Sequence, residues 1–173
     1  MIRIRPRWVA TPRGCAMHEQ ADDDPNNGQV DDGAELADLL RVSQEQLVQV
    51  LGAGWRRETA LPGRSPEQWF VSGEPPQVAV GFDGFVFVLA RPAPRWNGPA
   101  QLEWHFDGDH RFAAEDLLHD SEALAQAAEQ IARGRRRSFR WCRICRQVTA
   151  PEWFMRSDGI CMGCAATHHH MDF

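Results

Sequence analysis

Two Cys-x-x-Cys pairs, Cys142/Cys145 and Cys161/Cys164, stand fifteen residues apart in RWCRICRQVTAPEWFMRSDGICMGC. Thiolates are soft ligands, and the x₂ spacing lets one tight turn offer two of them to the same ion. The pattern predicts a tetrahedral four-cysteine site for one structural Zn2+. Two disulfides, a dithiol redox site and an iron centre are the competing chemistries. Disulfides need an oxidising compartment, and no export signal is evident. A redox CxxC usually opens a helix beside a βαβ unit, which two pairs at this spacing do not suggest.

Seven arginines, Arg133, Arg135, Arg136, Arg137, Arg140, Arg143 and Arg146, crowd the approach to the first pair, with Trp141 and Trp153 among them. A guanidinium grips phosphate bidentately, and an exposed indole stacks on an unpaired base. Arg135, Arg136, Arg137, Arg140, Arg143 and Trp141 are therefore the candidate nucleic-acid-binding residues. Two other readings stay open. The arginines can form a solvated helix end beside the C-terminal dipole, or pair with acids elsewhere while the tryptophans pack a small metal core. All nineteen basic residues are Arg, which reflects a GC-rich, bacterial genome and weakens any argument from guanidinium to phosphate.

The cysteine segment resembles treble-clef or zinc-ribbon fingers, in particular the finger of DksA/TraR-type bacterial regulators. The likeness rests on the knuckle CRIC, on Pro151 and Arg156, and on CMGC at the start of a terminal helix. It covers about residues 140–170 only. Arg146 stands where a glycine commonly follows the knuckle, and the regulators' long coiled-coil arm has no counterpart. The resemblance implies Cys142, Cys145, Cys161 and Cys164 as metal ligands. Polymerase regulation is not carried over.

The net charge of −5 hides an asymmetry. Residues 1–16 hold four Arg and no acid, residues 17–132 seven Arg against twenty-one acids, and residues 133–173 eight Arg against three acids. An acidic body with a basic tail is the pattern to explain. No apolar run approaches a membrane span, and residues 1–16 lack the apolar core of a secretory signal. A transit peptide, broken by Pro6 and Pro12, and a start at Met17 are alternative readings of that segment. The expected location is the cytoplasm.

These side chains must be held by a fold. Residues 17–33 are polar and rich in Asp, Asn and Gly, and residues 1–33 read as a disordered leader. Residues 34–134 read as an α+β domain. Leu36, Leu39, Leu40, Leu47, Val50 and Leu51 recur at helical spacing, with Ser43 to cap a second helix and Gly52 to end it. EQWFVS is a short strand, and QVAVGF-DG-FVFVLA predicts a hairpin with a type I′ turn at Asp83-Gly84. The second arm is apolar on both faces, which suits a central strand. QLEWHF-DGD-HRF predicts another hairpin. A single helix then runs through Leu117, Leu124 and Ile131 and ends at Gly134. The expected fold class is α+β, an antiparallel β-meander flanked by helices, with a small four-cysteine zinc-finger module in residues 135–173.

Three further groups have weaker chemistry. LADLLRVSQEQLVQVL resembles the turn of a helix-turn-helix, but the would-be reading helix shows Gln44, Glu45, Gln46 and Gln49 and no phosphate anchor, so core packing is expected. His105, Asp107, Asp109 and His110 would suit a metal or acid–base site, yet Asp107-Gly108 is already explained as a turn. His168, His169 and His170 follow the last Cys as surface residues, and Cys15 has no assigned role. No GxSxG, Walker A, GxGxxG or HExxH motif occurs. The expected protein is a non-enzymatic regulator or adaptor that binds nucleic acid through its finger. The alternative is a protein–protein adaptor with a purely structural zinc.

Overall fold

Arg41, at φ 55°, closes one helix and Ser43 opens the next. In the computed structural model, which describes residues 32–59, 66, 68–98 and 101–169, α1 spans Asp32–Leu40 and α2 spans Gln44–Leu51. The Ser43 hydroxyl accepts the Gln46 N–H at 3.2 Å, and the Gln46 side-chain oxygen accepts the Ser43 N–H at 2.9 Å. This reciprocal capping box satisfies two otherwise orphaned donors. Gly52, at φ 86°, ends α2 as expected. Leu36, Leu40, Leu47 and Leu51 are buried, while Gln44, Glu45, Gln46 and Gln49 face solvent. The helix-turn-helix look-alike is core packing. Asp32 and Gly33, expected at the end of the leader, belong to α1. The Asp32 carboxylate accepts the Arg57 backbone N–H at 2.8 Å, capping a donor on an edge strand. Residues 1–31 lie outside the described residues.

The strands follow as β1 (Trp55–Thr59), β2 (Gln68–Ser72), β3 (Val78–Phe82), β4 (Phe87–Pro92), β5 (Arg95–Trp96), β6 (Leu102–Glu103) and β7 (Phe106–Phe112). An antiparallel five-stranded sheet has the order β1-β2-β3-β4-β7, and β5 and β6 form a separate short hairpin. One face carries Trp55, Phe70, Val78, Val80, Phe87 and Leu89 toward the helices. The other buries Trp69, Val71, Ala79, Val88 and Ala90 with Phe106. β4 is thus apolar on both faces because it lies between β3 and β7. The β3–β4 connection differs from the predicted two-residue turn. Phe82 pairs and stacks with Phe87 at 4.5 Å, so the loop is Asp83–Val86. Asp83 organises it by accepting the Val86 and Phe85 N–H groups at 2.8 and 3.1 Å. These two donors hold its carboxyl below the usual carboxylate value. Phe85 is left at the tip, outside the strand.

Asp107-Gly108 is not a turn. β7 runs straight through it, antiparallel to β4, with a bulge opposite Leu89–Arg91. A side chain at Gly108 would put its Cβ 2.3 Å from the Leu89 carbonyl oxygen and 2.4 Å from the Ala90 Cα. Here glycine serves close strand approach. Gly108→Ala is expected to destabilise by about 3 kcal/mol, the upper range for overpacking, since the obstructing atoms are backbone. A urea melt within error of the parent would contradict it.

The predicted single helix is two, α3 (Asp116–His119) and α4 (Ser121–Arg136). Asp120, at φ −131° and ψ 35°, breaks them. Leu117, Leu124, Ala128 and Ala132 are buried. α4 passes Gly134, the expected stop, and continues to Arg136 because Arg135 is drawn into the interior. The chain ends in β8 (Arg140–Trp141), β9 (Val148–Thr149), a 3-10 turn (Pro151–Trp153), β10 (Phe154–Met155), β11 (Ile160–Cys161) and α5 (Met162–His169). The fold class is α+β with an antiparallel sheet and a C-terminal cysteine cluster, as read from sequence.

Candidate metal centre

The first cysteine pair lies in the loop of the β8–β9 hairpin. The Cys142 N–H donates to the Gln147 carbonyl at 2.9 Å, and the Arg146 N–H donates to the Cys142 carbonyl at 3.0 Å. These bonds wind residues 142–147 into a knuckle that aims both thiols inward. Arg146 sits at φ 57°, the left-handed conformation that a glycine takes most easily. The knuckle therefore forms at this arginine despite the local strain. The second pair comes from β11 and the first turn of α5. Gly159, at φ 67°, lets the β10–β11 turn fold back, and its carbonyl accepts the Arg143 N–H at 3.0 Å. That bond ties the two halves of the cluster together.

The sulfurs of Cys142, Cys145, Cys161 and Cys164 all lie within 4.8 Å of one another, with Cys145 and Cys161 at 3.9 Å. A tetrahedron of sulfurs about 2.3 Å from zinc has edges of about 3.8 Å, so the four thiols fit one ion. None of the four is joined in a disulfide. Cys142, Cys161 and Cys164 are buried with Ile160 and Ala165. Backbone N–H groups also point at sulfur: Cys161 at Cys142 (3.3 Å) and Cys164 at Cys161 (3.4 Å). Burial pushes the Cys142 thiol up. The backbone donors of Cys161, Cys145 and Ile144, with the Cys145 thiol, outweigh it and bring the group from 9.0 to about 6. A thiol that ionises this readily is suited to a metal, since only the thiolate ligates.

The arginines divide into two sets. Arg135, proposed from sequence as a surface contact, is 4% exposed. Its guanidinium donates to Glu152 Oε1 at 2.5 Å and to the Pro76 carbonyl at 3.3 Å, and it lies over the Phe139 ring. It is an interior residue, held where the end of α4 meets Glu152 of the 3-10 turn. Arg136 is half-buried between Gln77 and Glu129, and Arg133 pairs with Glu129. Arg137, Arg140, Arg143, Arg146 and Arg156 are exposed, and among the described residues none meets a carboxylate. Arg140 instead donates to the Arg137, Ser138 and Phe139 carbonyls, capping the end of α4. Trp141, on β8, is exposed; Trp153 meets Trp96 edge-on at 5.1 Å.

Glu152 has no signal in the sequence, yet it joins the cysteine module to the sheet domain. Its carboxylate holds Arg135, and its carbonyl accepts the Trp96 indole N–H at 2.6 Å. Among the described residues, His105, Asp107 and His110 are not gathered into a site. His105 lies 3.7 Å from Glu103, Asp107 pairs with Arg91 at 3.1 Å, and His110 is exposed on β7. The side chains of Asp109, His168, His169 and His170, and all of Cys15, lie outside the described residues. Among the described residues no helix is long and apolar enough to cross a membrane. No family model, curated protein or solved structure matches the chain.

Proposed function

We propose that the protein is a non-enzymatic regulator or adaptor whose four-cysteine centre holds one structural Zn2+ in a treble-clef-like finger, and whose finger surface binds nucleic acid. The observation that supports the surface reading is the set Arg137, Arg143, Arg146 and Arg156, exposed and without a carboxylate partner among the described residues. Four thiolates around Zn2+ leave the centre net negative, so part of this arginine charge balances the metal. The remainder is a phosphate-binding surface. The variant Arg137→Gln/Arg143→Gln/Arg156→Gln is expected to weaken oligonucleotide binding by tenfold or more, on the order of one decade per 1.4 kcal/mol lost. Its plot of log affinity against log salt should also flatten, by about 0.7–0.9 per lost phosphate contact. Fluorescence anisotropy across a salt series measures both, and an unchanged affinity removes the reading.

One observation favours a protein partner as the second reading. Phe85, at the β3–β4 tip, is 91% exposed, and Leu118 on α3 is also exposed. Under that reading Phe85→Ser abolishes a pull-down that survives nuclease and high salt, while the arginine variant leaves it intact.

A further inference from the structure

Six tryptophans are described, and five are accounted for by the fold. Trp55, Trp69 and Trp96 donate their indole N–H to the carbonyls of Gly52, Pro66 and Glu152. Trp104 stacks with Phe106, and Trp153 meets Trp96. Trp141 differs: it is 68% exposed, and among the described residues it has neither a ring partner nor an acceptor for its N–H. Leaving so large an apolar surface in water contributes nothing to folding.

The backbone beneath it is well fixed. Trp141 pairs with Val148 across the hairpin and directly precedes Cys142, which is fully buried in the sulfur cluster. Arg140 precedes it, and Arg143, held through its N–H by Gly159, follows two residues later. An indole mounted on a hydrogen-bonded hairpin, with arginines one residue before and two residues after it in the chain, has the components of a base-stacking platform beside a phosphate track. A duplex offers such a platform phosphates only, because its base faces are covered by their neighbours. A single strand offers a free base face as well.

Resting on the nucleic-acid reading above, we infer that the ligand is single-stranded, RNA or DNA, with Trp141 stacking on one unpaired base while Arg143 and Arg156 hold the flanking phosphates. The preference for single strand comes from the indole, and the salt dependence comes from the arginines.

The test uses the full metal-loaded chain with labelled oligouridine, oligothymidine and a duplex of matching length. Trp141→Ala is expected to weaken both single strands about tenfold and to leave duplex binding unchanged, whereas Trp141→Phe stays near the parent. The arginine variant lowers binding to all three. If Trp141→Ala binds single strands as the parent does while the arginine variant does not, stacking is refuted and phosphate binding stands. If no oligonucleotide binds the parent, both readings fall. Because Trp141 is exposed, unchanged metal content and circular dichroism in Trp141→Ala confirm that folding is not the variable. Comparison of the uridine and thymidine arms shows whether the 2′-hydroxyl contributes.

Discussion

Cys142→Ser is expected to abolish metal binding and to unfold residues 140–169 while leaving the helices and sheet of the preceding domain in place. The module has almost no core apart from the cluster: among the described residues, Ile160 and Ala165 are its only fully buried apolar residues besides the cysteines and Ala150. Ordering one residue costs roughly 1.5 kcal/mol, and a hydrophobic cluster this small cannot offset some thirty of them. α5, only eight residues long, is far too short to persist alone. A metal ion held by the four thiolates would supply what is missing, on the order of 10–16 kcal/mol for zinc in isolated finger peptides. The substitution also replaces the thiolate acceptor of the Cys161 N–H with a neutral hydroxyl, a weaker one. Trypsin offers a direct readout, because Arg140, Arg143, Arg146 and Arg156 all lie within the module. Cleavage there should be slow in the metal-loaded parent, fast in Cys142→Ser and fast in the parent after chelation. Native mass spectrometry should find one Zn2+ per chain in the parent and none in the variant. A variant that retained zinc and trypsin resistance would refute the structural role assigned to the cluster.

What the sequence made legible was whatever depends on local pattern. Ser43 and Gly52 specify α2 by chemistry that acts within one turn, and the alternation in β3 and β4 gives burial on both faces. The four cysteines name themselves, since few other uses place two x₂ pairs at that spacing. Failures occur where a residue's role is set by a neighbour distant in sequence. Asp107-Gly108 has turn composition, but the lack of a Cβ is used for close approach to Leu89 and Ala90 across the sheet. Gly134 suggests a helix end, yet Arg135, one residue later, is held by Glu152 and Pro76, so the helix continues. The run Arg135-Arg136-Arg137 looks uniform in sequence. On α4 successive residues point about 100° apart, and the three meet an interior carboxylate, a half-buried pair of partners and solvent.

Glu152→Ala is expected to lower stability by about 3–5 kcal/mol, because it leaves the Arg135 guanidinium buried without its counter-charge. The side chains of the pair are only 5% and 2% exposed, so solvent cannot take over the lost partner. Glu152 Oε2 is itself buried without an acceptor's share of hydrogen bonds among the described residues, so the native pair already carries an unrecovered desolvation cost. That cost makes a second variant informative. Arg135→Met combined with Glu152→Leu removes both charges and keeps apolar bulk, and it should recover most of the loss in Glu152→Ala. The recovery would separate the cost of an orphaned charge from any intrinsic value of the ion pair. The metal provides the other control. Glu152 is outside the sulfur cluster, so Glu152→Ala should still bind one Zn2+ per chain while the joint between module and sheet loosens. Trp96 and Trp153 report on that joint, since their edge-on contact brackets Glu152. Their fluorescence should shift to the red in Glu152→Ala with zinc retained, a combination that Cys142→Ser cannot produce. Urea denaturation within about 1 kcal/mol of the parent would mean that the Arg135–Glu152 pair does not hold the module to the sheet.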